Sequence, residues 1–269
     1  MTGKHQVDIS DLSILLVEPS KTQAKVIQKH LLDEGVSVVE VSSTGEEALE
    51  SLLNYQPDLI ISSMYLPDMT ATNLVEQVKS SAKLKDIPFM LISSETRFSA
   101  LDPIRQAGVV AILPKPFGKD DLNRALRNTV DFIDPEELTL EHYEIEAVRV
   151  LVVDDSSMAR KHIVRVLNNM GITLITEAKD GKQGIEIFSQ EETSFDLIVT
   201  DYNMPDINGL QLIAYVRAQS EQKTIPIIMV TSEQDSKRLA AIKQAGVSAV
   251  LDKPFEPASM RNFIIQLLN

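Results

Sequence analysis

The chain has 269 residues, 43% of them hydrophobic, with no cysteine and a formal net charge of −13 at pH 7. That composition suits one large globular domain or two of ordinary size; it excludes disulfides and thiolate metal sites, and it argues against nucleic-acid and anionic-membrane partners. The polar start, MTGKHQVDIS, lacks the apolar core of a secretory signal and no apolar run approaches a membrane span, so a soluble cytoplasmic protein is expected.

In chain order, the first elements are ILLVEPS at Ile14–Ser20, STGEEAL at Ser43–Leu49, PDLIISSMYLPD at Pro57–Asp68, IPFMLISSE at Ile87–Glu95 and QAGVVAILPKPF at Gln106–Phe117. Each returns later. VLVVDDS at Val150–Ser156 and KDGKQGI at Lys179–Ile185 lie 136 residues on. FDLIVTDYNMPD at Phe195–Asp206, IPIIMVTSE at Ile225–Glu233 and QAGVSAVLDKPF at Gln244–Phe255 lie 138 residues on, the two extra residues falling near the polar stretch Gln190–Ser194. The repeating unit is that of a domain, not of a solenoid. Two copies of one fold are expected, over residues 12–132 and 148–269, with an acidic linker at 133–147. Its sequence PEELTLEHYEIEA carries five Glu and no Lys or Arg, and reads as solvated. The alternation at Leu138–Glu146 fits an edge strand or an amphipathic linker helix, and leaves Leu138, Leu140, Tyr143 and Ile145 to pack on a domain.

In the second copy, Val150–Val153 is a continuous apolar run, as a strand buried on both faces requires. After Asp155, Ala159, Ile163, Val166, Leu167 and Met170 follow helical spacing with Arg160, Lys161 and Arg165 between them, and Gly171 supplies the stop. Leu197–Thr200, Ile227–Thr231 and Ala249–Leu251 read as further strands. The alternation predicts an α/β parallel sheet with helices on both faces, whose ligand site lies at the carboxyl ends of the strands.

The polar residues interrupt the pattern at those ends: Asp154 and Asp155, then Asp201, Thr231 and Lys253. Carboxylates held together need a counter-charge, and an all-oxygen donor set favours Mg²⁺. Asp155, Asp201 and a backbone carbonyl would supply the protein share, with Asp154 acting through water. Lys253 offers a point charge and Thr231 a hydroxyl to a phosphoryl group. Asp201 is thereby expected to attack a phosphohistidine and become an aspartyl phosphate. Asp206 and Asn208 fit turn and cap positions. His5, His30, His142 and His162 lack a phosphotransfer context, and His162 is placed on the polar side of its helix.

VLVVDDSSMARK, LIVTDYNMPDINGL, IIMVTSE and LDKPF, in this order, resemble the four motif blocks of receiver domains from bacterial two-component response regulators, and most of all the chemotaxis receivers of the CheY type. The resemblance covers the whole second copy. It implies two flavodoxin-like, doubly wound five-stranded domains in tandem, with Asp201 as phosphoacceptor and Mg²⁺ held by Asp154, Asp155, Asp201 and the carbonyl of Asn203. It further implies a switch role for Thr231, a phosphoryl partner in Lys253, a cis peptide before Pro254, and tuning of dephosphorylation by Asn203 and Glu233. The usual switch aromatic is Val250 here.

In the first copy Asp154 and Asp155 become Glu18 and Pro19, Asp201 becomes Ser63 and Thr231 becomes Ser93, while Lys253 remains as Lys115. This copy is expected to be a pseudo-receiver that serves docking or dimerisation. The expected partners are a histidine kinase or phosphotransfer protein and a downstream protein, met near Lys237–Lys243 and Ser259–Leu268; a homodimer is a further possibility. Two other functions compete. One is a phosphorylation-independent scaffold. The other is a Mg²⁺-dependent phosphatase, disfavoured because Asn203 stands where such enzymes carry a second Asp; an external enzymatic activity is therefore not expected.

Overall fold

The computed structural model describes residues 7–136, 138–141, 144–190, 194–233 and 235–269. It divides into two compact units, between Asp134 and Pro135. The first contains β1 (Ser13–Val17), α1 (Lys21–Asp33), β2 (Val38–Ser42), α2 (Gly45–Asn54), β3 (Leu59–Ser63), α3 (Ala71–Ser80), β4 (Phe89–Ser93), α4 (Phe98–Gln106), β5 (Ala111–Pro114) and α5 (Lys119–Ile133). The second contains β6 (Arg149–Val153), α6 (Ser157–Asn169), β7 (Leu174–Ala178), α7 (Gly181–Phe188), β8 (Leu197–Thr200), α8 (Gly209–Gln219), β9 (Ile227–Thr231), α9 (Ser236–Gln244), β10 (Ala249–Asp252) and α10 (Pro257–Leu268).

Each unit is a five-stranded parallel sheet, in the order β2-β1-β3-β4-β5 and β7-β6-β8-β9-β10. Both are the doubly wound flavodoxin-like order. Strands β3, β4, β8 and β9 are apolar runs that close on Ser or Thr, and they are buried at every position because both their faces are covered. In the second unit Leu151, Val153, Ile198 and Met229 from the sheet meet Leu212, Ile213 and Val216 of α8. Helices start on side-chain caps: Ser156 accepts from the Ala159 N–H, and Asn208 from the Gln211 N–H. Gly171 ends α6 at φ 97°, the left-handed conformation that a glycine enters without strain. Asp206 turns the chain at φ 61°.

Two expectations are corrected, and one strand went unplaced. Strand β7 escapes the sequence reading: it is an edge strand, buried fully only at Ala178, so it has no apolar run. His162 is not on a polar face. It lies three residues after the buried Ala159 and four before Val166, so it shares the inward stripe of α6 and packs edge-on against Phe255 with ring centroids 5.4 Å apart. The stretch expected as a solvated linker belongs to the second unit. Leu138 is buried, Glu136 pairs with Arg261 at 2.9 Å, and the Glu141 N–H donates to the Asn269 side chain at 2.7 Å. A short 3-10 turn at Ile145–Ala147 leads into β6, and Leu138–Leu140 forms neither strand nor helix. His5, His142 and Tyr143 lie outside the described residues.

Candidate metal and phosphoacceptor site

The chain leaves β6 toward β7 on one side and returns at β8 on the other, opening a crevice at the carboxyl ends of β6 and β8. Asp154 and Asp155 follow β6, Asp201 follows β8, Thr231 closes β9 and Lys253 follows β10. The Asp201 N–H donates to the Val153 carbonyl at 2.8 Å, and the Lys253 N–H to the Thr231 carbonyl at 2.8 Å. The backbone ladder thus fixes how far each side chain projects. Gly209, at the start of α8, packs so tightly that a Cβ there would lie 2.3 Å from the Asp201 carbonyl oxygen.

Carboxylate oxygens of Asp154, Asp155 and Asp201 lie within 4.8 Å of one another. Lys253 Nζ sits 2.7 Å from Asp154 Oδ2 and 3.2 Å from Asp201 Oδ1. All three of those side chains are buried, whereas Asp155 is exposed. Asp154 Oδ1 accepts from the Ser156 N–H at 2.9 Å. Neither carboxylate oxygen of Asp201 has a hydrogen bond of good geometry from a described residue. Burial pushes the Asp201 carboxyl up, to about 7; Lys253 offsets part of that rise and Asp154 adds to it. Asp154 is raised for the same leading reason. Burial works against the Lys253 cation, but its two carboxylate neighbours outweigh that and leave it raised. One ammonium therefore serves two buried carboxylates and leaves positive charge short. A hard cation with oxygen ligands fits both the shortage and the spare acceptor capacity of the Asp201 oxygens.

Thr231 is buried, and its Oγ accepts from the Glu233 N–H at 3.1 Å. Glu233 is held by Arg238 at 2.7 Å. Asn203 is exposed two residues after Asp201, and Val250 is half-buried on β10. The Lys253–Pro254 peptide is cis, as is Lys115–Pro116. Sequence reasoning passed over Arg160 as one of three polar-face charges. Its guanidinium donates to the Asp154 carbonyl at 2.7 Å.

At the matching place in the first unit the groups satisfy one another. Lys115 Nζ donates to Glu18 Oε2 at 2.8 Å and to Gln23 Oε1 at 2.6 Å, and the Ser63 hydroxyl donates to Glu18. Burial pushes the Glu18 carboxyl up, but Lys115, Ser63 and the Ser20 N–H outweigh it and hold the group below its ordinary range. Tyr65, which matches Asn203, donates to Glu95 at 2.9 Å, and Arg97 grips the same carboxylate at 2.7 Å. Those contacts, Arg97 foremost, keep Glu95 well below the usual carboxylate range.

The model for the response regulator receiver domain matches residues 14–127 and 150–265. The chain belongs to the response regulator receiver family. It is a tandem CheY-like protein of the two-component class. It is 33% identical over 114 residues to the chemotaxis protein CheY-3 of Vibrio cholerae, covering 42% of this chain and 86% of that one. It is 35% identical over 121 residues to a chemotaxis CheY homologue of Campylobacter jejuni, covering 45% and 92%. Among solved structures, the chemotaxis protein CheY4 of Vibrio cholerae is 31% identical and covers 45% of this chain and 98% of its own, at a TM-score of 0.41. A receiver domain of a sensor histidine kinase from Pseudomonas aeruginosa, with magnesium in its active-site cleft, is 24% identical over 44% of this chain and 97% of its own, at a TM-score of 0.42.

Proposed function

We propose that Asp201 of the second receiver accepts a phosphoryl group from a histidine kinase or phosphotransfer protein and that the modified domain alters its binding to a downstream protein. The observation that carries this reading is the Asp201 carboxylate itself: it is buried, without a well-formed hydrogen bond from any described residue, and 3.2 Å from a lysine. Asp154, Asp155, Asp201 and the Asn203 carbonyl would hold Mg²⁺, which would supply charge neutralisation for the phosphoryl oxygens. An Asp201 oxygen attacks phosphorus, the P–N bond of the phosphohistidine breaks as the P–O bond forms, and the imidazole leaves to take up a proton. Lys253 steadies a phosphoryl oxygen, and Thr231 reaches the same group through its hydroxyl. The domain turns over only its own phosphate and acts on no external substrate.

The first receiver takes no phosphate in this reading. A serine hydroxyl replaces the acceptor, Pro19 offers no ligand, and Lys115 is already engaged by Glu18. It serves docking or dimerisation. Cytoplasmic placement follows from the phosphodonor; no helix among the described residues is long and apolar enough to cross a membrane.

The test is incubation with acetyl phosphate and Mg²⁺ followed by intact-mass measurement. Wild type and Ser63→Ala are expected to gain one labile, hydroxylamine-sensitive phosphate, and Asp201→Asn none. Phosphate retained on Asp201→Asn, or none on wild type, overturns the assignment.

A further inference from the structure

Arg160 of α6 reaches two groups at once. One guanidinium nitrogen donates to the Asp154 carbonyl at 2.7 Å and another to Glu177 on β7 at 2.9 Å, with the arginine side chain only 15% exposed. The Asp154 N–H donates to the Ala178 carbonyl, on the neighbouring residue of that same strand. The backbone of Asp154 is thus held at its N–H by β7 and at its carbonyl by an arginine anchored to β7. The held carbonyl belongs to the Asp154–Asp155 peptide, whose orientation decides where Asp155 points. Asp155 is exposed and follows this peptide directly, whereas Asp154 is fixed by Lys253 and Ser156.

The chain carries its own comparison. In the first unit Arg160 corresponds to Ala24 and Glu177 to Val41. Both members of the pair are replaced by apolar residues in the copy where Asp155 is a proline and Asp201 a serine. The unit still closes the equivalent backbone bond, Glu18 N–H to the Ser42 carbonyl at 3.0 Å. The ion pair is therefore dispensable for the fold and is present where the acidic cluster is.

We infer that Arg160, anchored by Glu177, is a positioning residue for the acidic cluster: it sets the Asp154–Asp155 peptide so that the Asp155 carboxylate converges on those of Asp154 and Asp201. This inference rests on the proposed metal and phosphoacceptor role of that cluster. Simple electrostatics predicts the opposite consequence of losing Arg160, since removing a cation near three carboxylates should tighten cation binding. Positioning predicts weaker binding, by about tenfold, as for other groups that orient metal ligands.

The experiment is titration of the full chain with Mn²⁺, read from the loss of the free-ion paramagnetic resonance signal and reversed by Mg²⁺. Arg160→Met keeps the apolar stem and loses the donors; it is expected to bind Mn²⁺ about tenfold more weakly. Arg160→Lys regains one donor to the Asp154 carbonyl and is expected to fall between Met and wild type. Arg160→Ala with Glu177→Val copies the pair that the first unit folds with, so it should keep the wild-type circular dichroism spectrum while binding as weakly as Arg160→Met. Wild-type or tighter affinity in Arg160→Met, or in the double variant, overturns the inference. Absence of Mn²⁺ binding by wild type would instead sink the underlying metal-site reading.

Discussion

Lys253 and Lys115 show how one retained residue takes different work from its neighbours. Lys253 faces two buried carboxylates, one of which has no other well-formed partner. Lys253→Ala is expected to accept phosphate from acetyl phosphate roughly 100-fold more slowly, as when one stabilising donor is removed from a reacting centre, and to fail to signal. The rate of mass gain checks the first effect. A variant with full signalling in a cell-based assay would contradict the second. Lys115 instead closes a finished network with Glu18, Ser63 and Gln23. Because Glu18 titrates below its unfolded value of 4.5, its charged form contributes stability above that pH, and the contribution fades as pH falls through the lowered folded value. Glu18→Gln should therefore destabilise the first unit by about 1–2 kcal/mol at neutral pH. The gap from wild type should narrow on acidification below 4.5. Hydrogen exchange of β1 and β5 peptides against pH would show this, and a gap that widens in acid would contradict it.

At the scale of elements, the approach of α8 to the acceptor strand depends on a missing side chain. A Cβ on Gly209 would meet the Asp201 carbonyl at 2.3 Å and the Met229 terminal methyl at 2.9 Å. The methionine can move, but the carbonyl is main chain of the acceptor residue itself, whose N–H is tied to Val153. Gly209→Ala is expected to destabilise the second unit by about 2–3 kcal/mol and to impair phosphorylation; unchanged unfolding and unchanged mass gain would refute the packing argument. The same elements show what sequence could give. Strands β6, β8 and β9 were legible because each is covered on both faces and so carries an unbroken apolar run. Strand β7 was not, since an edge strand with one solvated side carries the mixed pattern of a loop. His162 was misplaced because its residue type outweighed its position, although spacing from Ala159 already set it on the inward face. Asp154, Asp155, Asp201 and Lys253, which the structure brings together, were legible because polar residues at the ends of apolar strands stand out in one dimension. Arg160 was not, because its partner is a backbone carbonyl, and nothing in a charged helical residue announces that contact. Only its replacement by Ala24 in the other copy hinted at it.

For the whole molecule, duplication makes each receiver a control for the other. Of the net charge of −13, −6 falls on the first unit, residues 1–134, and −7 on the second, residues 135–269, so bulk charge would draw a divalent cation to both units about equally. The local donor sets distinguish them. In the second unit three carboxylates cluster, and two of them share one lysine. In the first, a single carboxylate is consumed by Lys115 and Ser63. A ligand that binds only the folded state stabilises it by about 2.7 kcal/mol at 100 times its dissociation constant. Saturating Mg²⁺ should therefore slow amide exchange in peptides from β6, β8 and β9, by up to about a hundredfold where exchange needs full opening, and leave those from β1, β3 and β4 unchanged. Exchange resolved by peptide in the intact chain separates the two cases. Equal protection in both units would mean that Mg²⁺ acts through general charge screening, and would remove the distinction between a phosphorylated receiver and its silent copy. Protection confined to the second unit ties cation binding to Asp154, Asp155 and Asp201, a cluster of which the first copy keeps one carboxylate, Glu18.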